Sequence, residues 1–94
     1  LADKARPALV LTRALAQAQL NQVTLAPITS TIRGIRTEVR LGRRNGLDHD
    51  CVANCDVIVS VPKRALGDTI GFLLEDQEDA LAAAISHAFD LRAT

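Results

Sequence analysis

The 94-residue chain has no methionine, tryptophan or tyrosine, and its only aromatic side chains are Phe72 and Phe89. A core must therefore be assembled from Val, Ile, Leu and Ala rather than from rings. Two cysteines are too few for a disulfide-stapled secreted module. No apolar run exceeds about six residues, far below the ~20 that span a bilayer as a helix, and no signal peptide is visible. Collagen-like and coiled-coil repeats are absent too. With Leu1 in front and no methionine, the natural start is expected to be missing or processed away.

What is present is a folded composition, 48% hydrophobic and 23% charged. Such a length implies one domain, residues 1–94, burying roughly 60–70% of its unfolded surface around a single modest core. A reducing, cytoplasmic setting is expected, with no membrane partner. The formal net charge is zero, yet the charges are sorted. Residues 1–46 carry eight basic and two acidic side chains, and residues 47–94 carry three basic and nine acidic ones. Two readings of that sorting stand. The basic half faces a polyanion while the acidic half serves solubility or a partner, or ordinary surface charge has segregated by chance.

Periodicity predicts a succession of short strands. Residues 7–12 read as a buried strand, and 13–20 as a loop or frayed helical turn. Residues 21–28 alternate, with Val23 and Leu25 on one face and Thr24 and Ala26 on the other. Pro27 marks where that strand should leave its sheet. A polar, basic loop over 29–36 precedes a strand at 37–41 that turns Val39 and Leu41 inward and Glu38 and Arg40 outward. Asn45-Gly46 signals a turn in a second basic loop. Residues 50–61 form one long strand or two shorter ones, 63–66 a helical turn and 69–73 a last strand. From there the period lengthens to about 3.6, with Leu81, Ile85, Ala88 and Phe89 on one helix face and Asp76 as N-cap. The expected fold is mostly β with a C-terminal helix, a strongly bent antiparallel sheet or partial barrel.

Arg6 precedes a strand and is held extended by Pro7. Pro27-Ile28-Thr29-Ser30 ends another strand beside a basic loop. Were these strands neighbours, a fixed guanidinium and a hydroxyl pair would face one pocket, which suits phosphate binding. The plainer reading is an edge salt-bridge former and a turn cap. Cys51 and Cys55 on one strand would stand about 13 Å apart, too far for one metal or a disulfide. They read as small buried hydrophobes, and no metal or cofactor is expected. His49 reads as an ordinary loop histidine that could approach the site.

These segments resemble the MazF/PemK family of toxin endoribonucleases. The resemblance rests on Arg6-Pro7-Ala8-Leu9-Val10-Leu11, Pro27-Ile28-Thr29-Ser30, Glu38-Val39, Asp50-Cys51-Val52, the strand from Val57 to Lys63 and the Leu-rich C-terminal helix. It covers nearly the whole chain in order. The family's usual opening strand is missing, and Leu1-Ala2-Asp3 looks like its tail. The resemblance implies an SH3-like barrel of the CcdB/PemK type and a homodimer. It also implies metal-independent cleavage of single-stranded RNA by 2′-hydroxyl attack, and neutralisation by a cognate antitoxin. By the same match Arg6 is the catalytic arginine, Thr29 the catalytic hydroxyl residue and Ser30 its neighbour, while the acidic position that some members use ahead of the arginine has no clear match, Asp3 lying nearest to it.

RNA contacts are expected from Arg13, Arg33, Arg36, Arg43 and Arg44, because phosphates dominate affinity for single strands. A solvated basic loop set is the alternative, and for Arg40 it is the better one. With no aromatics near these loops, base reading would rest on backbone groups, arginine planes and hydrogen bonds to base edges. Competing functions on the same fold are a gyrase poison that cleaves nothing and a catalytically silent binding barrel.

Overall fold

Alternation of apolar and polar residues after Asn21 builds the strand around which the domain is organised. The computed structural model describes residues 6–90, and in it β2 (Gln22–Thr29) has three partners. β1 (Ala8–Val10) runs antiparallel along one edge of β2. On the opposite edge, β5 (Val59–Pro62) pairs with the first half of β2 and β4 (Cys51–Asn54) with its end. β3 (Glu38–Leu41) extends the sheet beyond β4.

Pro27 makes this handover possible. The hydrogen-bonded steps toward β1 are Pro7–Ile28 and Leu11–Thr24, so residue 27 turns its backbone away from β1. On that other edge the β5 ladder stops at Leu25 and the β4 ladder starts at Ile28. A residue without an N–H therefore sits in the gap between two partners. The expectation that the strand leaves the sheet at Pro27 is corrected: it changes partner there. The expected faces change with it. Val23 and Ala26 are the buried residues of β2, three positions apart, and Leu25 is only partly covered. Simple alternation fails because the strand bends from one sheet into the other. β1 is likewise a partly covered edge strand rather than a buried one.

The 50–61 region resolves into two strands. Asn54 Oδ1 accepts the Asp56 N–H at 2.9 Å, and this side-chain turn opens a 3₁₀ segment, Cys55–Val57, that separates β4 from β5. Residues 13–20 contain one helical turn, α1 (Ala14–Gln17), and Lys63–Ala65 forms another 3₁₀ turn. α2 (Glu75–Phe89) begins after Leu74, so Asp76 lies within its first turn and is not the N-cap. Leu81, Ile85 and Ala88 pack on the core as expected, but Phe89 is half exposed. Ala84 and Gln77 occupy the fully buried positions of that face. The core cluster is small-residued: Ala26, Val39, Leu41, Cys51, Ala53, Cys55 and Ala84. None of the described helices is long and apolar enough to cross a membrane.

The expected strand at 69–73 does not form. Gly71 lies so close to the Arg43–Asn45 3₁₀ turn that a Cβ there would stand 2.0 Å from the Asn45 carbonyl oxygen. The Phe72 carbonyl accepts from Asn45 Nδ2 at 2.9 Å instead of joining a ladder. Gly46, at φ +87°, completes the turn that Asn45-Gly46 signals. Asn45 and Gln77 then form a reciprocal amide pair, with Asn45 Nδ2 donating to Gln77 Oε1 at 2.6 Å and Gln77 Nε2 donating to Asn45 Oδ1 at 3.0 Å. Gly42 N–H donates to Asn45 Oδ1 and Leu74 N–H to Gln77 Oε1, while Gln77 Nε2 also donates to the Arg40 carbonyl. Both amides thus fill their hydrogen-bonding capacity while buried.

Removing either amide strands its partner. Asn45→Ala and Gln77→Leu are each expected to lose about 2–3 kcal/mol of stability, and the double variant less than their sum, measured by urea unfolding. A second expectation concerns the thiols. Burial raises the Cys51 thiol, with Asp50 and Asp48 adding to it, and burial followed by Asp56 raises Cys55. Each folded-state value lies above the unfolded one, so the protonated thiols stabilise the fold at neutral pH. That contribution fades as pH climbs through the folded values, above about pH 8.5. The urea midpoint should therefore fall between pH 7 and 10. The fall should shrink in the Cys51→Ala/Cys55→Ala variant.

Candidate functional site: an arginine–threonine pair beside a cationic loop

The register of β1 on β2 sets the site. The pairs are Ala8–Pro27, Leu9–Ala26 and Val10–Leu25, and Ile28 N–H donates to the Pro7 carbonyl at 3.3 Å, one step further out. Continued by one more step, that register would set Arg6 opposite Thr29. Counted from the hydrogen-bonded Pro7–Ile28 step, this is a non-hydrogen-bonded pair. In such pairs the Cα atoms approach to about 4.5 Å and both side chains leave on the same face. Pro7 stiffens the backbone that carries Arg6, which is solvent-exposed.

Thr29 is partly covered, and its Oγ1 accepts the Thr31 N–H at 3.1 Å. With an acceptor site filled, the hydroxyl hydrogen remains free for donation to a ligand. Thr29 borders a hollow of about 300 Å³ together with Pro27, Thr31, Arg33, Glu38, Asn54 and Val57. Ser30 lies just past the strand end, exposed. The 30–37 loop above the hollow is tied down by Glu38. Its carboxylate accepts N–H groups from Arg33 (3.1 Å), Gly34 (2.9 Å) and Ile35 (3.4 Å). Arg33 and Arg36 project from this loop, exposed and without an ion pair among the described residues.

Arg43 and Arg44 occupy different ground. They line a second hollow of about 390 Å³ at the far end of β3, with Arg40, Asp50 and Gln77. From Glu38 to Gly42 the strand rise covers about 13 Å. Arg44 is engaged with Asp76 in the first turn of α2, Nη2 to Oδ1 at 2.6 Å, whereas Arg43 has no ion pair among the described residues. Arg13 precedes α1, at the opposite end of the β1–β2 pair from Arg6 and Thr29.

His49 does not line the Thr29 hollow. Its Nδ1–H donates to the exposed Asp48 carboxylate, and that hydrogen bond holds the Asp48 carboxyl below its ordinary range. Among the described residues no group of three or more His, Cys, Asp or Glu gathers in metal-binding geometry, and Cys55 opens the 3₁₀ segment after β4 instead of sharing the strand with Cys51. Asp3 lies outside the described residues. Glu38 as loop anchor, and Asn54 and Val57 as walls of the hollow, were not foreseen as site residues. The legible trace of the first is Arg33-Gly34 shortly before an acid, because a glycine at φ +73° lets successive N–H groups converge.

The geometry defines a class: a small bent β domain, closed by one helix, presenting a guanidinium and a hydroxyl beside a cationic loop. Known proteins share the fold. Residues 2–89 match the family described as PemK-like, MazF-like toxins of type II toxin–antitoxin systems. Endoribonuclease MazF3 of Mycobacterium tuberculosis is 52% identical over 89 residues, 95% of this chain and 86% of that protein. The solved structure of the Mycobacterium tuberculosis toxin MazF-mt6 superposes with a TM-score of 0.92 at 50% identity, covering 98% of this chain and 93% of the other. An endoribonuclease from a mycobacterial species, solved in complex with its cognate antitoxin, reaches 0.84 at 26% identity, covering 97% and 86%. The chain belongs to the PemK/MazF toxin family.

The register is testable without any activity. Arg6→Cys/Thr29→Cys should form a cross-strand disulfide on mild oxidation, seen as a mass loss of about 2 Da relative to the reduced form, since facing Cα atoms fall within disulfide range. Failure of the pair to close would mean that the register does not continue to residue 6.

Proposed function

We propose that this protein is an endoribonuclease toxin that cuts single-stranded RNA without a metal ion and is held inactive in the cytoplasm by a cognate antitoxin. In this reading it works as a homodimer. The observation that supports it best is the β1–β2 register, which runs to the Ile28 N–H bond to the Pro7 carbonyl and, continued by one step, would set Arg6 opposite Thr29, a residue bordering a hollow beside a cationic loop. Family membership and the activity carried in the names of the relatives point the same way.

The reaction is a transesterification. A ribose 2′-oxygen loses its proton and bonds to the adjacent phosphorus, the bond to the 5′-oxygen breaks, and that oxygen takes up a proton from water, so the products are a 2′,3′-cyclic phosphate and a 5′-hydroxyl. Charge grows on the non-bridging oxygens and on the leaving oxygen. A forked guanidinium at Arg6 neutralises both, supplying the positive field for which other nucleases use a metal. Thr29 donates its free hydroxyl hydrogen to a phosphoryl oxygen and fixes the phosphate for in-line attack. The 2′-hydroxyl proton leaves to a base other than Arg6, since a guanidinium offers donors and no acceptor. Arg33 and Arg36 bind flanking phosphates near the hollow, and Arg43 binds one further along β3.

Purified protein incubated with a long RNA in EDTA should produce discrete cuts with cyclic phosphate ends. Arg6→Ala should lower kcat by about 100- to 1000-fold and Thr29→Val by roughly tenfold, with Arg6→Lys recovering little because an ammonium lacks the fork. Full activity in Arg6→Ala would remove Arg6 from the chemistry. RNA left intact by the unsubstituted protein would favour a gyrase poison or a silent barrel.

A further inference from the structure

Glu38 is the one acid between Lys4 and Leu47, a stretch rich in arginine. It also borders the hollow that holds Thr29. In a surface that attracts a polyanion, such a carboxylate is a liability unless it does something else. Its hydrogen bonds show what it does. Oε1 accepts three consecutive backbone N–H groups, from Arg33, Gly34 and Ile35, and Oε2 lies 3.3 Å from the Arg33 nitrogen. The Glu38 N–H donates to the Ile35 carbonyl at 3.1 Å, closing the same loop from the main chain. Gly34 at φ +73° curls the backbone so that the three donors converge. The result is an anion nest filled from within. At its other end the loop is tied to the site itself, since the Thr31 N–H donates to Thr29 Oγ1.

We propose that Glu38 is a positioning residue for RNA binding: its carboxylate folds the 30–37 loop so that Arg33 and Arg36 stand over the Thr29 hollow to receive the phosphates flanking the cut. This rests on the nuclease reading above. Without the internal anion, three adjacent N–H donors lose their partner and the loop opens, so the two guanidinium groups no longer have a fixed place. Two opposing effects then follow from removing Glu38. Loss of a negative charge beside the substrate strengthens RNA attraction, and an emptied nest could itself take a phosphate. Loss of loop order weakens binding by disengaging two arginines. The positioning role requires the second effect to win, so the sign of the change decides.

The probe is a fluorescent oligoribonucleotide containing a segment that the unsubstituted protein cuts, with every 2′-hydroxyl methylated so that it binds without being cleaved. Glu38→Ala should weaken binding about tenfold. The dependence of log K on log salt should flatten by about 1.4, the value of two phosphate contacts on a single strand. Glu38→Gln, which keeps an acceptor oxygen, should fall between Glu38→Ala and the parent. Arg33→Ala/Arg36→Ala should reproduce the loss, and adding Glu38→Ala to it should change affinity less than twofold, since the same contacts are removed once. Gly34→Ala supplies a lever that leaves the carboxylate in place. Its Cβ meets nothing within 4 Å, so it acts through the left-handed backbone alone. It should weaken RNA binding in the same direction whether or not Glu38→Ala folds well. Binding by Glu38→Ala or Gly34→Ala that equals or exceeds the parent, or losses that multiply with those of the arginines, would overturn the proposal while leaving the nuclease reading intact. If the unsubstituted protein neither cuts nor holds RNA, the nuclease reading fails first and the positioning role with it.

Discussion

β2 carries the architecture because one strand serves three neighbours. Its edge toward β1 is continuous, while its other edge is shared in sequence by β5 and β4. Main-chain hydrogen bonds are obligatory in a covered strand, so a change of partner leaves a position whose N–H has nowhere to go. Pro27 occupies that position and removes the problem along with the donor. The bend at the handover turns Ala26 into the cluster under α2 and leaves Val23 buried apart from it. It also sets Thr29 at the strand end, beside β4 and one step beyond the Ile28–Pro7 backbone bond. Fold and site thus share a single cause, the register of one strand against its first neighbour.

A core without rings puts unusual weight on polar closure. The buried residues are mostly Val, Ala and Cys, which fill space in small units and leave the ends of the sheet to be sealed by other means. Asn45 and Gln77 do this at the α2 end. Their paired amides hold the Arg43–Asn45 turn, the end of β3, the 72–74 segment and the first turn of α2 in one network. Arg44–Asp76 lies outside this network, exposed to solvent, and such pairs contribute little. At the other end of the sheet, Glu38 orders a loop with the same economy, one side chain taking several main-chain donors.

The basic half of the chain does not form one patch. β3 separates the Thr29 hollow, with Arg33 nearby, from a second hollow with Arg43, and Arg13 stands at the opposite end of the β1–β2 pair. Arg33 borders the first hollow, Arg36 stands exposed on the same loop, and Arg43 lines the second hollow. Arg44, tied to the helix, is less available than its neighbour. Membership of the PemK/MazF toxins gives this arrangement its biological frame.

By itself the sequence determined the β-then-helix order, the inward Val39 and Leu41, the turn at Asn45-Gly46 and, on α2, the core positions Leu81, Ile85 and Ala88. Each of these is written locally, as a period of two, a period near 3.6 or a residue suited to left-handed backbone. It also marked Arg6 and Thr29 as residues worth pairing, through the stiff Arg6-Pro7 step and the hydroxyl at a strand end. Tertiary structure alone decided that Pro27 changes a partner instead of ending a strand, and that the Phe72 carbonyl accepts from Asn45 instead of joining a ladder. It alone turned Glu38 from an outward strand residue into the anchor of a loop. In each case the deciding partner lies elsewhere in the chain or across a bend, and no local period records which distant donor or acceptor will be satisfied.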